Sequence, residues 1–247
     1  MTYCLAIALK QGLVLTSDSR TNAGIDSVHT HGKMHVVAST VERHLVLLSA
    51  GNLATTQAVV EQIRRDVEQQ AEDNLNQMAY LSEAAAYLGR LNRDIAAGFR
   101  SEAHPEFNPE ATFILAGRIG TRPAAAYLIY PQGNYITSSP TTPYLQIGES
   151  KYGKPVLDRF LTEETSLDEA FVCSLISMDS TMRSNASVGP PIDVMVIPAE
   201  LGKPISRYSF GADHPFLAEI RTRWSDALQQ AFRSMAGMGL PIIEQQQ

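Results

Sequence analysis

The amino-acid sequence predicts an α+β fold in which β-sheets are covered by layers of helices. A block of strand-like segments is followed by two amphipathic helical segments, then by further strands and two more helices. Each face of a sheet needs an apolar cover, which this order of elements supplies. The 247 residues are 44% hydrophobic, so the chain can bury a large core. This length suits one domain or two, and because no repeat or low-complexity linker divides the chain, we expect one domain spanning residues 1–247.

The N-terminal segment is predicted to form a β-hairpin. Residues 2–9 and 13–19 have the apolar character of paired strands, and Gly12 supplies the positive φ that a three-residue loop needs. Pairing outward from this loop brings four side chains to one face near the open end: Thr2, Cys4, Asp18 and Arg20. We therefore expect an acid and a base beside the threonine.

Two short strands and two helices follow the hairpin. The strands are predicted at residues 33–37 and 44–49, and Asn52 can cap the first helix. The buried face of the first helix is predicted to carry Leu53, Val59, Val60 and Ile63. That of the second helix, around residues 78–99, is predicted to carry Leu81, Ala85, Leu88, Leu91 and Ile95. These helices are expected to pack together on a sheet.

The second half of the chain contains strands again and then helices. Strands are predicted at residues 112–117, 124–130 and 192–197, and helices at residues 154–161, 167–182 and 221–238. Residues 104–109, which include two prolines, are expected to form a surface loop, and residues 245–247 a frayed tail.

Thr2 has the chemistry of a nucleophile if Met1 is removed. Its hydroxyl would then lie beside its own free α-amine, whose unperturbed pKa of roughly 7.7 to 8.0 suits a base that accepts the hydroxyl proton. A threonine at position 2 is common, so this residue alone does not predict catalysis. Taken singly, Asp18 could form an ion pair with Arg20, and Lys33 could be a solvated charge at a strand end.

Several blocks of the sequence, in order, resemble one known family. The blocks are Thr2-Tyr-Cys4, Thr16-Ser-Asp-Ser-Arg-Thr-Asn-Ala-Gly24, Lys33-Met-His35, Ser49-Ala-Gly-Asn52, Ile147-Gly-Glu-Ser-Lys-Tyr-Gly-Lys-Pro155 and Ser184-Asn-Ala-Ser-Val-Gly-Pro-Pro-Ile-Asp193. They resemble the N-terminal-nucleophile (Ntn) hydrolases of the proteasome β-subunit type, and among these the bacterial Anbu branch, the ancestral β-subunit. The resemblance covers nearly the whole chain, and it implies the four-layer αββα sandwich of that family.

The resemblance also implies a mechanism of peptide hydrolysis. Thr2 would attack the peptide carbonyl, Lys33 would favour the deprotonated hydroxyl, and Asp18 would keep that ammonium charged. The backbone N–H of Gly51 would donate to the oxyanion, although Gly51 could also be only a break between a strand and a helix. Ser49 would form the floor of the pocket for the side chain that precedes the scissile bond, leaving room for a bulky residue.

The second half of the predicted site departs from the family pattern. The Gly-Ser-Gly block of proteasome subunits reads Gly148-Glu149-Ser150 here, and Ser184 stands where the Arg-Asp-x-x-Ser-Gly block has its aspartate. Ser187 keeps the serine of that block and is the better candidate for contacting the Thr2 amine. Asp179 could supply the missing charge or could simply be an acid near a helix end.

Other residue patterns exclude several function classes. The net charge of −6 and the lack of Lys/Arg runs argue against nucleic-acid binding. His29, His31 and His35 lack a nearby Cys or carboxylate at ligand spacing, so we expect no metal and no cofactor. Asp193, in an apolar strand, is expected to form structural hydrogen bonds.

The predicted setting is the cytoplasm. No stretch approaches the ~18 apolar residues of a membrane span, and the N-terminus lacks the features of a signal peptide. Cys4 and Cys173 lie in apolar contexts and are expected to be buried and reduced. The resemblance implies self-assembly into a homo-oligomeric ring or helical stack, acting on peptide or unfolded-protein substrates.

Three functions are consistent with these features. The first is a threonine hydrolase that cleaves peptide or other amide bonds after Met1 is removed. The second is a weakly active or silent Ntn-fold subunit whose role is assembly and binding, suggested by the departures at Glu149 and Ser184. The third is an Ntn amidase acting on a small molecule.

Overall fold

The fold is described from a computed structural model, which covers residues 1–22, 28–102 and 107–237. The strands are β1 (Tyr3–Leu9), β2 (Gly12–Asp18), β3 (Arg20–Asn22), β4 (Val28–Thr30), β5 (Met34–Ser39), β6 (Arg43–Gly51), β7 (Ala111–Ile119), β8 (Ala125–Ile129), β9 (Tyr135–Thr137), β10 (Tyr144–Gly148), β11 (Ile192–Pro198) and β12 (Ser206–Phe210). The helices are α1 (Leu53–Glu68), α2 (Leu81–Glu102), α3 (Lys154–Phe160), α4 (Leu167–Ser184) and α5 (Pro215–Ala236).

Two five-stranded antiparallel sheets form the centre of the molecule. The first has the strand order β10-β1-β2-β11-β12 and the second β5-β6-β7-β8-β9. A separate two-stranded sheet, β3-β4, follows the first hairpin. Each large sheet packs one face against the other sheet and the opposite face against helices. This is possible because successive side chains of a strand alternate between the two faces.

Three apolar layers hold this arrangement together. Between the sheets, residues such as Leu15, Leu48 and Ile114 are fully buried. On the outer face of the first sheet, β1 packs against α3, α4 and the start of α5. On the outer face of the second sheet, β6 and β7 pack against α1 and α2. The order helix, sheet, sheet, helix confirms the predicted α+β fold and its four-layer αββα architecture.

The N-terminal hairpin forms, but its predicted register is wrong by one residue. Leu9 pairs with Gly12, so the loop has two residues rather than three, and Cys4 lies opposite Ser17. A shift of one residue exchanges the two faces. Thr2 and Cys4 therefore do not share a face with Asp18, as the longer loop required. Gly12, at φ +138°, is needed because a side chain there would overlap the carbonyl oxygen of Ile197 in β11.

The helix predictions hold with local corrections. Asn52 caps α1 by accepting a hydrogen bond from the Thr55 N–H at 3.2 Å, as predicted. Leu53, which was predicted to be buried, is 38% exposed. The last helix begins six residues earlier than predicted, at Pro215, where His214 caps it.

Five strands escaped the sequence analysis: β3, β4, β9, β10 and β12. Each has three to five residues, which is too short for a clear alternation of apolar and polar side chains. The predicted tail at residues 245–247 lies outside the described residues, as does most of the predicted loop at residues 104–109. Both cysteines are buried and free, as predicted. In the described ranges, no helix combines the length and apolar character needed to cross a membrane.

Candidate active site

A buried ion pair lies at the end of the first hairpin. The Lys33 ammonium donates to Asp18 Oδ1 at 2.7 Å and to the backbone carbonyl of Arg20 at 2.6 Å. The Asp18 side chain is fully buried and that of Lys33 is 8% exposed. Two backbone groups also donate to the Asp18 carboxylate, the N–H of Tyr3 at 3.0 Å and that of Gly189 at 3.2 Å. Asp18 thus ties together three segments that are distant in sequence.

The electrostatics of this pair are set by its burial. Loss of solvation penalises the charged carboxylate and raises the pKa of Asp18 above its ordinary value, while the adjacent Lys33 ammonium acts in the opposite direction. Removing one partner would leave a buried, uncompensated charge, which is costly. The Lys33 ammonium therefore offsets part of the desolvation cost of the Asp18 carboxylate.

Thr2 directly precedes β1, whose first residue, Tyr3, donates its N–H to Asp18. The Thr2 side chain is half-buried, and the Thr2 nitrogen is in peptide linkage to Met1. The Thr2 carbonyl accepts a hydrogen bond from the Glu149 N–H at 2.7 Å, so the end of β10 fixes the peptide that carries the threonine. Gly148, at φ +82°, allows this close approach, because a side chain there would overlap the Thr2 carbonyl.

Thr2, Lys33 and Gly51 line one cleft of about 1020 Å³. Gly51 lies at the end of β6 with φ +109°, and a side chain at this position would collide with the backbone of Glu110 in the segment before β7. The predicted oxyanion donor and the predicted nucleophile are thus brought to the same cavity. The first turns of α1 form its opposite wall, with Leu53, Thr56, Gln57, Val60, Glu61 and Arg64.

Ser49 is among the residues that line the cleft. Its hydroxyl lies 3.4 Å from His35 Nε2, and its N–H donates to the Lys33 carbonyl at 3.0 Å. Burial, and then the positive charge of Arg64, lowers the pKa of His35 below its ordinary value. His35 entered the sequence analysis only as a possible metal ligand, and Arg64 was missed. Gln57, Glu61 and Arg64 are three or four residues apart and so lie on one face of α1. This spacing is the sequence signal that would have predicted Arg64 in the wall of the cleft.

Arg20 holds the segment that contains Ser187. Its guanidinium donates to the carbonyl of Ala186 at 2.7 Å, and its N–H donates to the carbonyl of Gly189 at 3.2 Å. The half-buried Ser187 donates its N–H to Asn185 Oδ1 at 2.9 Å. Arg20 thus holds the segment that runs from Ala186 to Gly189, and the Gly189 N–H in turn donates to the Asp18 carboxylate.

Asp179 and Ser184 are placed elsewhere. The Asp179 carboxylate, 7% exposed, accepts from Arg183 at 3.1 Å and from Arg221 at 2.8 Å, which ties α4 to α5. Ser184 is exposed and lines a groove with Trp224 on the far side of α4. This geometry favours the structural interpretation of Asp179. Asp193 likewise has a structural contact, accepting from the Ser19 hydroxyl at 3.4 Å.

Among the residues of the three described ranges, no group of three or more His, Cys, Asp or Glu side chains is placed to hold a metal ion.

The four-layer sandwich, with a buried aspartate–lysine pair next to residue 2, is the architecture of a proteasome-type Ntn fold. The sequence profile described as "Proteasome subunit" matches residues 2–197. This match covers most of the chain, and the chain therefore belongs to the proteasome subunit family. In a comparison with curated proteins, none matched the sequence.

Solved structures of Anbu, the ancestral β-subunit, resemble the chain over their full length. Anbu from Yersinia bercovieri is 42% identical, with a TM-score of 0.86 over 98% of this chain and 99% of that one. A structure described as the helical assembly of the Anbu complex from Pseudomonas aeruginosa is 38% identical, with a TM-score of 0.88 and 98% coverage of both chains. Anbu from Hyphomicrobium sp. strain MC1 is 37% identical, with a TM-score of 0.84 over 98% and 99% of the two chains. Within the proteasome family, the chain is thus Anbu-like.

Proposed function

We propose that the chain is a threonine-type peptidase that cleaves peptide or other amide bonds after Met1 has been removed. The observation that carries this proposal is the buried contact between Lys33 and Asp18 in the wall of the cleft that also contains Thr2. A lysine held charged by a buried carboxylate is expensive to maintain for stability alone, since a well-packed apolar pair would often serve as well. Its position beside a potential nucleophile supports a catalytic role.

The proposed reaction has two halves. In the first, Thr2 Oγ forms a bond to the substrate carbonyl carbon while the Thr2 α-amine accepts the hydroxyl proton. The tetrahedral intermediate collapses, the carbon–nitrogen bond breaks, and the amine passes the proton to the leaving nitrogen. In the second half, water attacks the resulting ester, the carboxylic acid is released, and the hydroxyl of Thr2 is restored.

Lys33 and Gly51 have distinct proposed parts in this sequence. The Lys33 ammonium lowers the energy of the deprotonated hydroxyl, and Asp18 fixes the ammonium in place. The Gly51 N–H donates to the oxyanion, an interaction whose loss costs on the order of 10² to 10³ in rate in other hydrolases. Gly51 has a positive φ of +109°, and in this conformation the end of β6 lines the cleft.

The proposed substrate is a peptide or an unfolded chain. The cleft of about 1020 Å³ is large enough for several side chains, and the small Ser49 in its floor leaves room for a bulky residue before the scissile bond. The free state of both cysteines supports a reducing, cytoplasmic setting for this activity.

A weakly active or silent subunit is the second candidate. The observation that favours it is the position of Asp179 and Ser184, since neither lies among the residues that line the cleft. A small-molecule amidase would use the same cleft with the same chemistry, and a monomeric or dimeric protein with an open site would favour it over a peptidase.

Self-assembly is part of the proposal. The second half of α5 is exposed, and its side chains Leu228, Phe232 and Met235 are 50%, 72% and 66% exposed along one helix face. Three large apolar residues on one face are characteristic of a buried contact. The helical assembly of the Pseudomonas aeruginosa Anbu complex supports a second copy of this chain as the occupant.

The test of the proposed function is hydrolysis of a library of fluorogenic peptides by the chain with Thr2 at its N-terminus. Thr2→Ala should abolish turnover without loss of folding, because the hydroxyl is the attacking group. Thr2→Ser, which keeps a hydroxyl and the amine, should retain measurable turnover. Equal turnover by the parent chain and by Thr2→Ala would contradict the proposal.

A further inference from the structure

One departure from the family sequence pattern, Glu149, contacts the residue that follows the other departure, Ser184. Glu149 directly follows β10, and Asn185, next to Ser184, is the residue at which α4 ends. Although they are 36 residues apart, the Asn185 side-chain amide donates to Glu149 Oε2 at 3.1 Å. Where the family pattern has a serine and then an aspartate, this chain has a carboxylate on the first segment and a serine on the second.

The orientation of the Asn185 amide is fixed by its surroundings. Its Oδ1 accepts the N–H of Ser187 at 2.9 Å, and of the two polar atoms of the amide only the oxygen can accept a hydrogen bond. Its Nδ2 must therefore face Glu149, where a carboxylate is the natural acceptor. Asn185 thus connects the Ser187 segment to the carboxylate of Glu149.

Backbone and side-chain contacts bring Glu149 and Asn185 close to the two N-terminal residues. The Glu149 N–H donates to the Thr2 carbonyl at 2.7 Å, and Asn185 Nδ2 lies 3.9 Å from Met1 Sδ. Both Glu149 and Asn185 are half-buried, so solvent screens the charge of Glu149 only in part. Removing Met1 would therefore expose a new amine beside an oriented carboxylate.

The other charged groups near Thr2 are already paired or lie farther along the cleft. Asp18 and Lys33 neutralise each other at 2.7 Å, and the Arg20 guanidinium binds the Ala186 carbonyl. His31 and His35 line the cleft, as Arg64 and Glu61 do on α1. Across the described ranges, Glu149 forms no ion pair with a lysine, arginine or histidine. Its charge remains available for an amine.

We propose that Glu149, oriented by Asn185, binds the α-amino group of Thr2 once Met1 is removed. This contact positions the amino group, which accepts the hydroxyl proton when it is in its neutral form. Glu149 and Asn185 are positioning residues in this scheme. In this scheme a carboxylate at the end of β10 takes the place of the aspartate that the family pattern has at the position of Ser184. The inference rests on the proposed function for its catalytic meaning, but the contact itself requires only a free Thr2 amine.

The test is the protonation of the Thr2 amine, measured without any substrate. The chain is produced as a fusion that is cleaved to leave Thr2 first, and its amine is acetylated with limiting acetic anhydride over a range of pH. The modified fraction is read from the mass of the N-terminal peptide. Because a nearby carboxylate favours the ammonium form, Glu149→Gln should move the midpoint of acetylation about 0.5 to 1 pH unit lower.

Two further variants complete the test. Asn185→Ala removes the group that orients the carboxylate and should lower the midpoint as well, by less than Glu149→Gln. Glu200→Gln makes the same chemical change at an exposed carboxylate paired with Lys203 and should leave the midpoint at the parent value. Circular dichroism establishes that each variant is folded.

An unchanged midpoint in folded Glu149→Gln would overturn the inference, and an unchanged midpoint in Asn185→Ala alone would remove Asn185 from it. Neither result depends on turnover. A shifted midpoint in a chain that hydrolyses no peptide would instead keep the contact and count against the proposed peptidase.

Discussion

Asp18 and Lys33 are the residues on which the candidate site depends most. A fully buried carboxylate has a large desolvation cost, which one cation and two backbone donors offset only in part. The same contacts join β2 to the start of β5 and to Gly189. A change at either residue will therefore alter both stability and activity, and the two effects have to be separated.

A double substitution separates them. Lys33→Met leaves Asp18 buried without its cation and should lower the free energy of unfolding by about 3 to 5 kcal/mol. Adding Asp18→Asn removes the uncompensated charge and should restore much of that loss. Activity should remain absent in both variants, because the ammonium is missing. Urea unfolding and peptide hydrolysis measure the two effects, and turnover in the stable double variant would contradict a catalytic role for Lys33.

His35 should give the protein a distinct pH dependence. Burial lowers the pKa of His35 from its ordinary value of 6.5, so below that pH the unfolded chain binds a proton that the folded chain does not. The free energy of unfolding should therefore fall as the pH falls from 6.5 through the lowered value. His35→Gln should make this fall less steep.

Urea unfolding between about pH 5 and 7.5 measures the effect. His44, whose pKa is also lowered by burial, contributes a fall of the same sign, and the variant His44→Gln serves as the comparison. If His35→Gln and the parent lose stability with identical slopes, the His35 side chain is not buried in the folded protein.

At this scale the candidate site residues could be proposed from the sequence, but the contacts that surround them could not. Thr2, Lys33 and Gly51 could be grouped because the family resemblance supplied their order, and the fold brings them to one cleft. The contact of His35 with Ser49 and the approach of Arg64 depend on how α1 lies over the second sheet. No local pattern specifies that packing.

Among the elements, the turn after β10 has the strictest requirement. Gly148 has φ +82°, and a side chain there would overlap the Thr2 carbonyl. A strained backbone alone costs ~1 kcal/mol or more. Gly148→Ala should therefore lower the free energy of unfolding by a larger amount, because it adds a steric overlap. Gly202, at φ +88°, has open space within 4 Å of the point where a Cβ would lie, so Gly202→Ala isolates the backbone cost.

Thermal or urea unfolding of Gly148→Ala and Gly202→Ala gives the comparison directly. Gly148→Ala should lose at least about 1 kcal/mol more than Gly202→Ala, since only the first also has a steric overlap. Equal losses in the two variants would mean that β10 does not press against Thr2.

The elements differ in how far sequence alone predicts them. The cap at Asn52 followed from residue chemistry, and the long helices followed from their apolar spacing. The hairpin register failed because Gly12 was assigned to the loop, whereas the approach of β11 places it in the ladder. The strand β10, which forms an edge of the first sheet and positions Glu149, is too short to show a period.

At the scale of the whole molecule, the order of strands and helices in the sequence predicts sheets that are covered by layers of helices. The pairing of two sheets face to face came from the family resemblance, because the contacts between β1, β6 and β7 join residues that are distant in sequence. What the chain alone does not specify is the angle between neighbouring copies, which decides between a closed ring and an open helix.

The exposed face of α5 should control assembly. Phe232→Asp places a charge in the proposed contact and should shift the protein toward smaller species in sedimentation velocity experiments. Gln230→Asp introduces the same charge on the opposite side of the helix, about 200° away at roughly 100° per residue, and should leave assembly intact. Identical sedimentation of Phe232→Asp and the parent would show that this face does not join copies.

The most direct test of the central claim is the intact mass of the protein before and after incubation with a peptide epoxyketone. This reagent requires both the hydroxyl and the free amine of an N-terminal threonine. We expect one adduct on the chain that begins at Thr2 and none on the chain that retains Met1 or on Thr2→Ala. Equal labelling of the chain that retains Met1 would contradict the claim that Thr2 acts through its own amine, and an unlabelled chain that begins at Thr2 would favour a silent subunit.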